Sequence, residues 1–238
     1  MSRRAPELAL VTGVFLALSL FVSGVVLTGD LPATTLAALA VGFPFVAHAV
    51  RHADDPTDVL RPDAVLLGGA TAGATVWAVV ALDGPPASTP RRVLLGAVVA
   101  GALALPAAAY HVGYGERRNP LSPRATFALA ALVAAATVGY GVLVGAPLLG
   151  SLTALALFLG GGLYLNARGA PLGYRLRRRL VVAGLALGVA VAIGGVVAFR
   201  GTVAAGGEAA STAWVVAGAT ILLGPSLYHA LSVEAKAT

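Results

Sequence analysis

The sequence predicts an all-α, polytopic transmembrane bundle of eight helices, built as two fused four-helix units, and three observations carry that reading. Hydrophobic residues make up 58% of the chain and charged residues 11%, with a mean hydropathy of +0.88, whereas a soluble domain carries about 25% charged residues. One core in a chain of 238 residues cannot hide that much apolar surface, but a bilayer can. Eight uncharged stretches are each long enough to cross a hydrocarbon core about 30 Å thick. Finally, Tyr110-His111 returns as Tyr228-His229 after 118 residues, half the chain.

The first stretch runs from Leu8 to Thr28, between Glu7 and Asp30. The second covers Leu31 to Val50, the third Ala64 to Leu82 and the fourth Val93 to Gly113. Between Arg124 and Arg168 lies an uncharged run too long for one helix. Gly145-Ala146-Pro147 divides it, because Gly ends a helix readily and Pro opens one. That gives a fifth stretch, Ala125 to Val144, and a sixth, Pro147 to Asn166; the seventh is Leu180 to Phe199 and the eighth Ser211 to Leu231. Membrane strands would alternate polar and apolar residues. These runs are apolar all round and rich in Ala, Leu and Gly, so helices are expected throughout.

The two units are expected at residues 1–118 and 119–238. A shift of about 117 residues lays Gly24 to Pro32 over Gly141 to Pro147, with two residues lost in the turn. Gly69-x-x-x-Gly73 meets Gly184-x-x-x-Gly188 at a shift of 115, close to the 118 of the Tyr-His pairs. Each unit has an even number of crossings, so the repeat is expected to be parallel rather than inverted. In lipid, small residues let helix backbones approach closely, which makes Gly69, Gly73, Gly184 and Gly188 candidate helix-packing positions.

The composition excludes several chemistries. With no cysteine there is neither a disulfide nor a thiolate nucleophile. Basic residues are scattered rather than clustered in one long run, so nucleic acid is not an expected partner. A retinal protein needs a lysine inside a helix, and the one Lys is Lys236 in the tail. No Asp, Glu, Lys or Arg lies well inside a span, and burying one costs at least about 2.5–3.5 kcal/mol. Ion pumps and hydrolases that depend on midplane carboxylates are therefore disfavoured.

Two readings of function remain. The first is a non-catalytic or transporter-like protein for a neutral or weakly polar substrate, with no cofactor; Thr12, Ser19, Ser23, Thr71, Thr75, Thr137, Tyr140 and Asn166 are its candidate polar lining. The alternative is a metal- or haem-binding oxidoreductase that uses His48, His52, His111 and His229, all near the ends of even-numbered spans. His48 and His52 share a helix face at i, i+4 and could bind one metal; converging with His111 and His229 they could enclose Zn or Fe, or His111 and His229 could instead ligate haem. The cluster Arg175, Arg177, Arg178 and Arg179 is the candidate contact for anionic lipid headgroups. The bilayer is the expected partner, and assembly into an oligomer or a larger membrane complex is left open.

Orientation follows from Arg and Lys in the loops. Thirteen of these residues fall on the side of both termini and three (Arg91, Arg92 and Arg200) on the other. Both termini are thus expected in the cytoplasm of a plasma-membrane protein. The first stretch is a repeated element with no clear small-x-small site after it, so a cleaved signal peptide is not expected. A green fluorescent protein fused after Thr238 should fluoresce, whereas alkaline phosphatase inserted after Gly84 should be active. The reverse pattern would overturn the orientation.

Overall fold

The computed structural model describes residues 5–116, 119–199 and 207–234. Arg3, Arg4, Arg117, Arg118, Arg200 and Lys236, six of the charges behind the expected orientation, lie outside them. The chain divides into two compact units, Met1–Arg117 and Arg118–Thr238. The first contains α1 (Ala5–Thr28), α2 (Leu31–His52), the single turn α3 (Pro56–Val59), α4 (Pro62–Leu82) and α5 (Thr89–Tyr114). The second contains α6 (Pro123–Leu143), α7 (Pro147–Ala167), α8 (Tyr174–Phe199) and α9 (Gly207–Glu234). All but α3 are long and apolar enough to cross a membrane, and the described residues include no strand.

Within each unit, successive long helices form hairpins: α1 with α2 and α4 with α5, then α6 with α7 and α8 with α9. The hairpins of a unit meet through their second helices, α2 on α5 in the first and α7 on α9 in the second. The turn of the first hairpin needs a left-handed residue in both units, and Gly supplies it at Gly29 (φ 66°) and Gly145 (φ 66°). Asp30 then caps α2 by accepting a hydrogen bond from the Ala33 amide at 2.9 Å. Pro follows at the start of α2 and α7, where its missing N–H has no helical acceptor to lose.

Glycine faces set the closeness of each hairpin. A methyl group on Gly69 would collide with Ala107, and one on Gly73 would stand 3.1 Å from the Ala100 carbonyl oxygen. On α8, Gly184 lies against Pro225 and Gly188 against the Gly218 carbonyl. These four glycines therefore face the next helix of their own hairpin. The first hairpins use the same device, with Gly24 against Thr34 and Gly141 against Gly150. A Trp–Gly contact lies further along each second hairpin: Trp77 of α4 covers Gly96 of α5, whereas Trp214 of α9 covers Gly195 of α8. The indole N–H of Trp77 also donates to the Val93 carbonyl at 3.2 Å.

Several helices outrun their apolar stretches, α5 and α8 through basic residues. α5 begins at Thr89 rather than Val93, and α8 at Tyr174 rather than Leu180. The basic residues Arg91, Arg92, Arg175, Arg177, Arg178 and Arg179 thus stand on helix rather than in loops. Arg is a good helix former, so a helix continues through charged residues once its end reaches the headgroups. The triplet Gly160-Gly161-Gly162 does not break α7. Gly161 packs on Ala130 and Phe127, and Gly162 lies under the Tyr228 ring.

Neighbouring glycines give a sharp test of this packing. Nothing lies within 4 Å of a methyl placed on Gly68, whereas one on Gly69 meets Ala107. Gly69→Ala should lower stability by about 1–3 kcal/mol through overpacking, and Gly68→Ala should not lower it. Thermal unfolding of the purified protein in a mild detergent measures both; equal effects would contradict the packing face.

Candidate functional site

The hairpins of the first unit leave a groove of about 720 Å³ between them. Its walls are Leu39, Ala40, Phe43 and Ala47 of α2 facing Ala102, Leu103 and Pro106 of α5, with Gly13 and Ala17 of α1 at the back. Tyr110 stands among its lining residues. Small side chains keep it open: Ala40 and Ala47 lie seven residues apart, two helical turns along one face of α2.

Its lining is apolar in side chains but not in backbone. Pro44 sits inside α2 and Pro106 inside α5. Proline has no N–H, so the carbonyl four residues earlier loses its helical donor. Those carbonyls belong to Ala40 and Ala102, and both residues line the groove. A helix in lipid must satisfy such groups locally or through a neighbour. Two residues that line this apolar groove thus carry carbonyls without their usual helical donors.

The space between the hairpins of the second unit is largely filled. Phe127 and Phe158 meet edge to face with ring centroids 5.3 Å apart, and Phe127 stacks on Tyr228 at 5.9 Å. Only about 230 Å³ remains there, beside Ala134, Val138, Ala154 and Ile221. Phe158 lies 116 residues after Gly42, the spacing that separates Gly29 from Gly145, and the first groove has Gly42 among its lining residues, with Phe43 and Tyr110.

At one end of each unit a tyrosine near the end of the last helix holds the loop between the hairpins. The Tyr110 hydroxyl lies 2.8 Å from the Pro56 carbonyl and 2.7 Å from that of Leu60, so its one proton is shared between them. Tyr228 is 1% exposed. Its hydroxyl donates to Asn166 Oδ1 at 3.1 Å and accepts from the Leu172 amide at 3.4 Å. Asn166 in turn donates to Ser232 at 3.1 Å. In the first unit Asp55 caps α3, accepting from the amide and hydroxyl of Thr57 at 2.8 and 2.7 Å. The Thr57 hydroxyl, then its amide, hold the Asp55 carboxyl below its usual 3.8.

The histidines divide into local pairs. His48 and His52 stack at 4.1 Å, and His52 Nδ1 donates to the His48 carbonyl at 2.9 Å. His111 is buried, with Nδ1 3.5 Å from Asp63 in the first turn of α4. His229 packs its ring 6.1 Å from that of Tyr174, the first residue of α8. Among the described residues no group of three or more His, Asp or Glu gathers as a metal site. Of the candidate polar lining, Ser23, Thr71 and Thr137 donate to carbonyls of their own helices, the ordinary behaviour of hydroxyls in a helix.

The four arginines at the start of α8 separate as well. Arg175, Arg178 and Arg179 are exposed, whereas Arg177 is 4% exposed. Sequence spacing treats them as one cluster, and it gives no sign that one of them turns inward.

Tyr110→Phe should cost about 1 kcal/mol, the net worth of one such hydrogen bond, and speed proteolysis near Arg61 by freeing the α3 loop. Proteolysis at an unchanged rate would show that the hydroxyl does not hold the loop. As for relatives, no family model, no curated protein and no solved structure matches this chain.

Proposed function

We propose that the chain is a non-catalytic, transporter-like membrane protein for a neutral or weakly polar substrate, and that the groove between α2 and α5 receives it. The observation that carries this reading is the groove itself, about 720 Å³ of apolar surface that includes Ala40 and Ala102. An aliphatic or isoprenoid-like body suits the walls, and a single hydroxyl or amide would find an acceptor in either carbonyl. An ion finds no charged partner among the groove's lining residues.

The parallel repeat belongs to the same proposal. Both units use a left-handed Gly at the first turn, a Gly-x-x-x-Gly face on the third long helix, and a Tyr–loop bond at the end of the fourth. The Trp–Gly contact supports duplication differently. Gly96 and Trp214 are 118 residues apart, as are Trp77 and Gly195, so large and small partners have exchanged helices while the contact remains. On this reading the second unit is the filled copy and the first the open one. The cytoplasmic placement of both termini, in the plasma membrane, completes the proposal.

Photolabelling with a diazirine-bearing aliphatic alcohol tests the groove. Adducts should concentrate on α2 and α5 residues lining it and fall at least fivefold in an Ala40→Phe, Ala47→Phe double variant. Both positions are exposed, so the larger rings do not disturb packing. Adducts spread evenly along exposed α1 residues such as Leu18 and Val22, and unchanged in the variant, would refute it.

A further inference from the structure

The start of α8 collects positive charge with no acidic partner for it among the described residues. Four arginines stand within its first six residues, and its first turn contains no acidic residue. The N-terminal end of a helix already carries a partial positive charge, so cations there are unfavourable unless an anion joins them. Three of these arginines reach solvent or headgroups, but Arg177 does not: it is 4% exposed. Among the described residues neither its Nε nor its Nη1 has a hydrogen-bond partner.

The direction of Arg177 follows from helix geometry. Side chains on a helix lean toward its N-terminus, so the guanidinium runs back past Tyr174 toward the loop between α7 and α8. Other buried polar atoms at this end of the second unit also lack partners: Nε of Arg168, the Tyr164 hydroxyl and Nδ1 of His229. Leu172 and Asn166 bond to Tyr228 and His229 packs on Tyr174, so the end of α7, the start of α8 and the end of α9 meet here. Every one of these unpartnered groups can donate, and what is missing is an acceptor. Arg92 at the start of α5, whose Nη1 is likewise without a partner, does have a carboxylate through Nη2, Asp83 at 3.2 Å.

We propose that this end of the second unit binds a phosphate group, with the Arg177 guanidinium as principal ligand and Arg168 and the α8 N-terminus as further donors. Arginine's fork matches phosphate oxygens in pairs. Arg177 precedes the apolar run at Leu180 by three residues, which sets it at headgroup depth. The phosphate is that of a lipid headgroup or of a soluble phosphate ester.

Full-length protein in a neutral maltoside detergent distinguishes these sources. Thermal unfolding is followed while adding inorganic phosphate in one arm and phosphatidic acid in the other, against sodium chloride at matched ionic strength. A saturable rise of roughly 5–10 °C is expected at a hundredfold excess over the dissociation constant. A rise in the lipid arm alone assigns a headgroup, and a rise in both arms assigns a site open to free phosphate. Arg177→Gln should abolish the rise, whereas a variant with Arg175, Arg178 and Arg179 all changed to Gln should keep it. If Arg177→Gln does not fold, Arg168→Gln should weaken the response at least threefold. No rise in either arm for the unaltered protein, a rise matched by sodium chloride, or loss in the exposed triple variant would overturn the proposal.

Discussion

Close approach of helix backbones is the constraint on which the rest of this structure depends. Lipid tails are as apolar as the side chains they touch, so hydrophobic burial does little to draw spanning helices together. Contact has to come from surfaces that fit. In this chain they are glycine faces: Gly24 on Thr34, Gly73 on Ala100, Gly141 on Gly150 and Gly188 on Gly218. Each hairpin is fastened in this way, and the residues left facing outward on α1, such as Val26 and Leu27, stay exposed.

How two hairpins then meet decides what a unit can do. In the second unit Phe127, Phe158 and Tyr228 occupy the space between them, and the Asn166–Tyr228–Ser232 bonds close one end. In the first unit a groove stays open between α2 and α5, lined by Ala40, Ala47 and Ala102 together with Leu39, Phe43 and Leu103. The internal prolines add a further difference. Pro225 seats against Gly184 and fills part of the packing surface of its own unit. Pro44 and Pro106 have no such glycine partner, and like Pro225, which does the same to Ile221, each leaves the carbonyl four residues earlier, Ala40 or Ala102, without its helical donor.

Much of the fold was legible in the residues because membrane helices announce themselves by length and composition. The eight helices long and apolar enough to cross a membrane, the turn at Gly145-Ala146-Pro147 and the lack of strands among the described residues all follow from local sequence. Helix ends were less legible, since charge marks where the hydrocarbon stops and not where the helix does; α8 shows this by starting at Tyr174. The site was legible only in outline. Tyr110 and Tyr228 stood out as a repeated pair, yet only three-dimensional contacts show them holding loops. The groove could not be read at all, because an open space depends on the absence of large side chains from several distant segments. The inward turn of Arg177 was hidden for a related reason: burial is a property of neighbours, and four arginines in a row look alike in sequence.

The central claim is that the first unit keeps a groove between α2 and α5 while the second unit fills the space between its own hairpins with aromatic rings. A crystal structure of the protein grown from a lipidic mesophase tests it most directly. The account predicts elongated density along Ala40, Ala47 and Ala102, and none among Phe127, Phe158 and Tyr228. A first unit with α2 and α5 packed side chain to side chain, and no space between them, would contradict it.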